Sequence, residues 1–279
     1  MSTIEVMPAR LTREEIEDLQ RAIACLEGAN FAQRLTDVVG RPVELLTAAM
    51  PQAARRAIAH ASEVALRGAR KLALRTLDLT APAKPANRAH RLAAAASGAV
   101  GGALGLAALP IELPISTTIL LRSIAEIARE EGEDLSAPSA AFACVEVFAL
   151  GGQAHEQAGF ESGYFAVRAA LAKSVSDSAR FVASEGFSAH SAPVIARLIS
   201  QIAARFGVVV SEKVAAQAAP IIGAIGGATV NAAFADHFQT LARGHFIIRR
   251  LERKHGPSLI AFEYRRLRGE RGEPRRAAS

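Results

Sequence analysis

Two apolar segments threaded with glycine, residues 92–111 and 214–235, each run for about the thickness of a bilayer without one charged side chain. In the first, Gly98 and Gly102 are four apart, as are Gly101 and Gly105; in the second, Ala219, Gly223, Gly227 and Asn231 repeat the spacing. On a helix this spacing lines small residues along one side. Such a stripe lets two backbones approach closely, in a bilayer or in a packed helical hairpin. Both segments are built largely from Ala and Gly, whereas the residues that favour insertion, by roughly 0.3–0.6 kcal/mol each, are Leu, Ile, Val and Phe. The expectation is therefore a pair of glycine-rich hairpins that pack together or dip into one leaflet, rather than ordinary transmembrane anchors.

The rest of the chain reads as helix. Thr12 and Glu15 form a capping box ahead of the stripe Ile16, Leu19, Ile23 and Leu26, and Gly28 ends that helix. A second helix is predicted over 30–39, stopped by Gly40, with Pro42 able to start the next. Residues 52–77 are Ala-rich and basic, good helix formers. Pro82 and Pro85 mark a linker over 81–90. Pro110 and Pro114 predict a sharp bend, with the helix resuming at Ser116 and closing at Gly132. A further apolar helix spans 140–150 and carries Glu146. Residues 160–213 read as two or three amphipathic helices punctuated by Gly186, Pro193 and Gly207. Alternating β-branched residues are almost confined to Val208–Val210, so the predicted class is all-α, a multi-helix bundle with two glycine-rich hairpins. The domain reading is an N-terminal helical segment over 1–80, the linker, a helical domain over 91–264 and a basic tail over 265–279. With 279 residues, half of them hydrophobic, a core can form without disulfides or structural metal. Cys25 and Cys144 have no partner at redox or metal spacing, which favours a reducing compartment. Met1–Glu5 shows no secretory pattern, and the expected location is cytoplasmic.

The net charge of +6 is concentrated at one end: from Arg243 onward there are eleven Lys/Arg against four Glu, leaving the earlier chain at −1. Arg249, Arg250, Arg253 and Lys254 form one cluster, and Arg265, Arg266 and Arg268 belong to a second. Polybasic segments near apolar helices attract anionic lipid headgroups at about 1 kcal/mol per residue. The tail matches no nucleic-acid motif, so an anionic membrane surface, not nucleic acid, is the expected partner. A merely solvated tail is the alternative.

Several runs carry a family resemblance: Leu113-Pro114-Ile115-Ser116-Thr117-Thr118, Leu121 through Arg129, Gly132-Glu133-Asp134, Val147 through Gly152, Gly223 through Gly227, and His245-Phe246 leading into Arg249-Arg250-Leu251-Glu252. Over roughly residues 90–265 the chain resembles the EcsC family of bacterial proteins, named for a gene near an ABC-type exporter and without an established biochemical activity. The resemblance implies a helical, membrane-associated protein and stops short of a mechanism. The expected function is that of a non-enzymatic protein, peripheral at the inner face of the membrane through its glycine-rich hairpins and basic tail and linked to transport or secretion, with a membrane transporter, met through the small-residue stripe, as a candidate partner.

Charged groups beside apolar sequence are candidates for a buried polar centre: Glu112, Arg122, Glu126, Glu146, Asp236 and His237. Any of them that lies inside needs a partner, because an unpaired buried charge costs several kcal/mol. Arg122 can pair with Glu126 along its helix, or reach Glu146 or Asp236 and join two helices. The alternative to a membrane protein is a soluble, hydrolase-like enzyme centred on Glu146, Asp236 and His237. His155-Glu156, Asp236-His237 and His245 could approach a metal, but they lack the recognised spacings, and neither metal nor cofactor is expected. Ser116 and Thr117 offer hydroxyls at a helix start, where an anion could sit or the residues could simply cap. No nucleophile elbow, phosphate loop or dinucleotide fingerprint is present.

Overall fold

The computed structural model describes residues 11–28, 31–76, 109–152, 163–185, 192–218 and 224–272. These form ten helices, with no strand among the described residues: α1 (Arg13–Leu26), α2 (Phe31–Val39), α3 (Val43–Ala48), α4 (Gln52–Thr76), α5 (Leu109–Glu130), α6 (Pro138–Leu150), α7 (Gly163–Glu185), α8 (Ala192–Gln217), α9 (Ala224–His255) and α10 (Pro257–Gly272). The predicted all-α class is the observed one. Gly98, Gly101, Gly102, Gly105 and Gly223, and the linker, lie outside the described residues.

Local chemistry sets most helix ends. At α1 the Thr12 hydroxyl accepts from the Glu15 N–H and the Glu15 carboxylate accepts from the Thr12 N–H, satisfying two donors that a helix start otherwise leaves bare. Gly132, at φ +77°, closes α5, with the Glu133 N–H reaching back to the Ala128 carbonyl. Gly256 (φ +85°) followed by Pro257 ends α9 and starts α10, a glycine stop with a proline start.

Three expectations fail for identifiable reasons. The bend at 109–114 is absent, because α5 already begins at Leu109. Pro110 falls in the first turn, where a missing N–H costs nothing, and the bond that Pro114 forgoes would have gone to a carbonyl of that same first turn. Ser116 and Thr117 consequently sit inside the helix, buried, rather than at its start. Gly207 does not punctuate the middle region: α8 runs through it, and a Cβ there would stand 4.0 Å from Ala59 Cα and 3.7 Å from Ser62 Oγ, so the glycine marks a close crossing with α4. Finally, the chain at 265 is no free tail, since α10 continues past it with Ile260, Tyr264 and Leu267 buried.

The long helix α9 is the spine, touching α1, α2, α5, α6, α8 and α10. Around its middle Phe31, Phe148, Phe206, Phe234 and Phe238 interlock with ring centroids 5.0 to 6.1 Å apart, mostly tilted or edge-on. Each such side chain contributes about 1.5–3 kcal/mol by leaving water. Where α9 crosses α1 the contact is tightest at Gly244, whose absent Cβ would fall 2.7 Å from Leu26 Cγ and 3.0 Å from the Ala22 carbonyl oxygen. The second glycine-rich segment is the joint between α8 and α9; of its described residues, Val214–Ala216, Gly227, Val230, Asn231, Phe234 and Ala235 are buried in protein, whereas Ala218 and Thr229 are exposed.

Candidate functional site

Polar residues gather at two places along α9. At its start, the fourth residue of α5, Glu112, is drawn inward: its Oε1 accepts from Lys213 Nζ at 2.6 Å and from Asn231 Nδ2 at 3.0 Å. Lys213 is 0% and Glu112 5% exposed. The Lys213 ammonium also lies 4.8 Å from the Phe234 ring centre. Burial lowers the Lys213 pKa, and Glu112 acts in the opposite sense. One carboxylate thus ties α5, α8 and α9 together, and Asn231 of the glycine stripe is one of the anchors. Lys213 was not among the sequence candidates, although a lone lysine beside a charge-free run is the signal that could have found it.

Further along α9, a cleft of about 400 Å³ opens between α6, α7, α9 and α10. Glu146 of α6, Arg168 of α7, and Arg249 and Glu252 of α9 give it four charged side chains, and Phe165, Val175 and Ala261 line its apolar part. Arg168 grips Glu252 in a two-pronged pair at 2.8 and 2.9 Å, and Arg249 grips Glu133 at 2.8 and 3.2 Å. Neither guanidinium forms an ion pair with Glu146, and among the described residues no hydrogen bond reaches its carboxyl group. Burial pushes the Glu146 pKa up to about 7, against the opposing influence of Arg168 and Arg249. Behind the cleft, Tyr164 accepts from Arg168 Nη1 at 3.3 Å and stands 3.1 Å from His245 Nδ1. Burial holds the imidazole well below its usual pKa, so it is neutral and can accept a hydrogen bond from the phenol O–H. Arg168, Glu252 and Tyr164 escaped the sequence reading, though Tyr164 and Arg168 are one helical turn apart.

The first basic cluster is answered from within the protein. Arg250 reaches Asp18 at 2.6 Å and Glu131 at 3.3 Å, and Arg253 pairs with Glu133. Lys254 Nζ and His255 Nε2 share Glu15 Oε1 at 2.7 and 2.8 Å. Those two hydrogen bonds, with the Thr12 backbone, hold the Glu15 pKa down to about 2. Arg268 pairs with Glu27 at 2.9 Å, Arg266 with Glu263 on its own helix, and Arg265 lies exposed. Much of the C-terminal charge therefore fastens α9 and α10 to α1 and to the turn after α5. Arg249 lies eighteen residues beyond Asn231 on the same helix, about 27 Å along its axis. The basic cluster and the glycine joint are at opposite ends.

The other expected members of a polar centre lie on α5 and α9. Arg122 is exposed and Glu126 half-buried on α5. Asp236, 43% exposed at its side chain, meets Arg34 of α2 at 3.4 Å. His237 is buried and stacks on Phe31, ring centres 5.0 Å apart. Asp236 and His237 do not line the cleft that Glu146 shares with Arg168, Arg249 and Glu252. His155 and Glu156 lie outside the described residues, among which no group of three or more metal-ligating side chains gathers.

Neither the curated proteins nor the solved structures yield a match to the chain. A family model does match, over residues 12–251, a span that begins at the capping box of α1 and ends within α9. It includes the N-terminal helices that the sequence resemblance had left aside, the buried triad, and Glu146, Arg168 and Arg249 of the cleft, whose Glu252 and Ala261 lie beyond it. The chain belongs to the EcsC protein family.

Proposed function

We propose that this EcsC protein is a non-enzymatic helical module that sits peripherally on the inner face of a membrane, docking through the end of the bundle where residues 92–108 join α5 and residues 218–223 join α8 to α9. The observation that carries the reading is the outer face of the first turns of α5. Ile111 is 71% exposed and Ile115 49%, one turn apart, while Glu112 between them turns inward to Lys213. Two large exposed apolar side chains next to a charge-free Ala/Gly segment suit the boundary between lipid headgroups and chains. The helix α8 is long and apolar enough to cross a membrane, with mean hydropathy 1.5. Its Phe206, Val209, Val210 and Lys213 nevertheless pack in the protein core, which favours surface docking over insertion of that helix.

The engaged state of Arg249, Arg250, Arg253 and Lys254 leaves the apolar end, rather than the basic cluster, as the main attachment. A membrane transporter is the natural neighbour for a protein so placed. The test is flotation of the full chain with neutral and with anionic liposomes across a salt series. Flotation that survives high salt is expected, because apolar contact is not screened. An Ile111→Asp/Ile115→Asp protein should stay folded and sink. No flotation of the wild type, or unchanged flotation of the double variant, overturns the reading.

A further inference from the structure

The Glu146 cleft is independent of the membrane reading and lies at the other end of α9. Its geometry is that of a built polar site. The carboxyl group of Glu146 belongs to a residue only 5% exposed, yet no described side chain hydrogen-bonds to it. Two guanidiniums stand nearby, each held in place by a different carboxylate, Glu252 for Arg168 and Glu133 for Arg249. These outer pairs fix the arginines without spending them on Glu146. The remaining wall is apolar, from Phe165, Val175 and Ala261.

We propose that this cleft binds a small amphiphilic monocarboxylate, its carboxylate accepting a hydrogen bond from the Glu146 carboxyl and facing Arg168 and Arg249, its hydrocarbon portion lying on the apolar wall. With Glu146 carrying its proton, Arg168, Arg249 and Arg253 stand against Glu252 and Glu133, a surplus of one positive charge that suits one negative charge. An amine would find the same arginines opposed to it. The volume, about 400 Å³, accommodates a ligand of about ten non-hydrogen atoms and falls in the ordinary range for small-molecule sites. A carboxylic acid facing a carboxylate shares one proton between them, so binding requires Glu146 to hold its proton.

That requirement makes binding pH-dependent. The groups that act on Glu146 are Arg168 of α7 and Arg249 and Glu252 of α9, with Tyr164 and His245 behind Arg168; among the described residues α4, α5 and α8 add none. Burial already favours the protonated carboxyl near neutrality, and the two arginines moderate that preference. Affinity should change little between about pH 5.5 and 6.5, above the range where an ordinary carboxylic acid titrates, and fall by up to about tenfold per pH unit above neutrality, the slope for one linked proton.

The experiment is calorimetric titration of the full chain with octanoate, with octanol and octylamine as uncharged and cationic controls, between pH 6.5 and 8.5. Expected are saturable binding of octanoate at pH 6.5, uptake of up to one proton at pH 7.5 measured from two buffers of different ionisation heat, and weaker binding at pH 8.5. Glu146→Gln keeps a donor and should bind octanoate with a flat pH profile. Ala172→Trp, an exposed substitution at the rim, should abolish binding and leave the thermal unfolding unchanged. The proposal is overturned if octanoate shows no saturable binding at pH 6.5, if octylamine binds more tightly, if the wild-type affinity is the same at pH 8.5, or if a folded Ala172→Trp protein binds normally.

Discussion

Lys213 Nζ lies 2.6 Å from Glu112 Oε1, and this pair, joining residues 101 apart in the chain, is sealed from solvent at the root of both glycine-rich segments. Removing one charge leaves the other buried and unpaired. Lys213→Met should cost about 3–5 kcal/mol of stability. The double change Glu112→Leu/Lys213→Met should recover much of that loss, because two apolar groups replace a desolvated pair. Urea unfolding of the three proteins measures both effects, and a single variant as stable as the wild type would show that the pair is not closed in solution.

Glu146 gives stability a pH dependence of definite sign. Its folded-state pKa is raised to about 7 from an ordinary value of 4.5, so the folded protein holds a proton that the unfolded chain releases. Stability is thereby lost as pH rises from 4.5 to 7, by about 3 kcal/mol for this group. Glu146→Gln, which has no proton to lose, should be more stable than the wild type at pH 8 and indistinguishable from it at pH 4.5. Thermal melts at the two pH values decide this; an equal gain at both contradicts it.

Glu15 titrates in the opposite sense. Hydrogen bonds from Lys254 and His255 and from the Thr12 backbone depress its pKa to about 2. The unfolded chain therefore binds the extra proton first, and the stability Glu15 contributes is present above pH 4.5 and lost as pH falls toward 2. Glu15→Gln should lower the wild type's stability at pH 7 and flatten its dependence on acid. Hydrogen exchange in α1 at pH 7 should speed up in the variant, since α1 loses its charged tie to Lys254 and His255 at the end of α9.

Glycines on these helices differ in what they do, and alanine separates them. At Gly244 a Cβ would stand 2.7 Å from Leu26 Cγ and 3.0 Å from Cys25 Cβ, so Gly244→Ala should cost about 1–3 kcal/mol by forcing α9 away from α1. Gly68, exposed within α4 with nothing inside 4 Å of the added atom, should gain about 0.5–1 kcal/mol on the same change. Equal effects at the two positions would mean that the α1–α9 crossing is looser than the structure has it.

The helical class and most helix ends were legible in the chain itself. The Thr12–Glu15 box, the Gly40 and Gly132 stops and the periodicity of α1 and α5 all involve residues within a few positions of each other, so the information is local. The bend expected at Pro110 and Pro114 failed because a proline's cost depends on where the helix begins, which its neighbours in sequence left open. Charge partners were not legible. Glu112 was a candidate without Lys213, and the basic cluster without Glu15, Asp18 and Glu133. The pairs that hold α7, α9 and α1 join residues 84 to 240 positions apart, and only the packing of apolar faces decides which of many equivalent carboxylates each cation meets. Composition alone therefore established an Ala/Gly-rich helical chain with a basic end. The tertiary structure decided that much of that basic charge is spent internally, and that one buried carboxyl at a cleft is not.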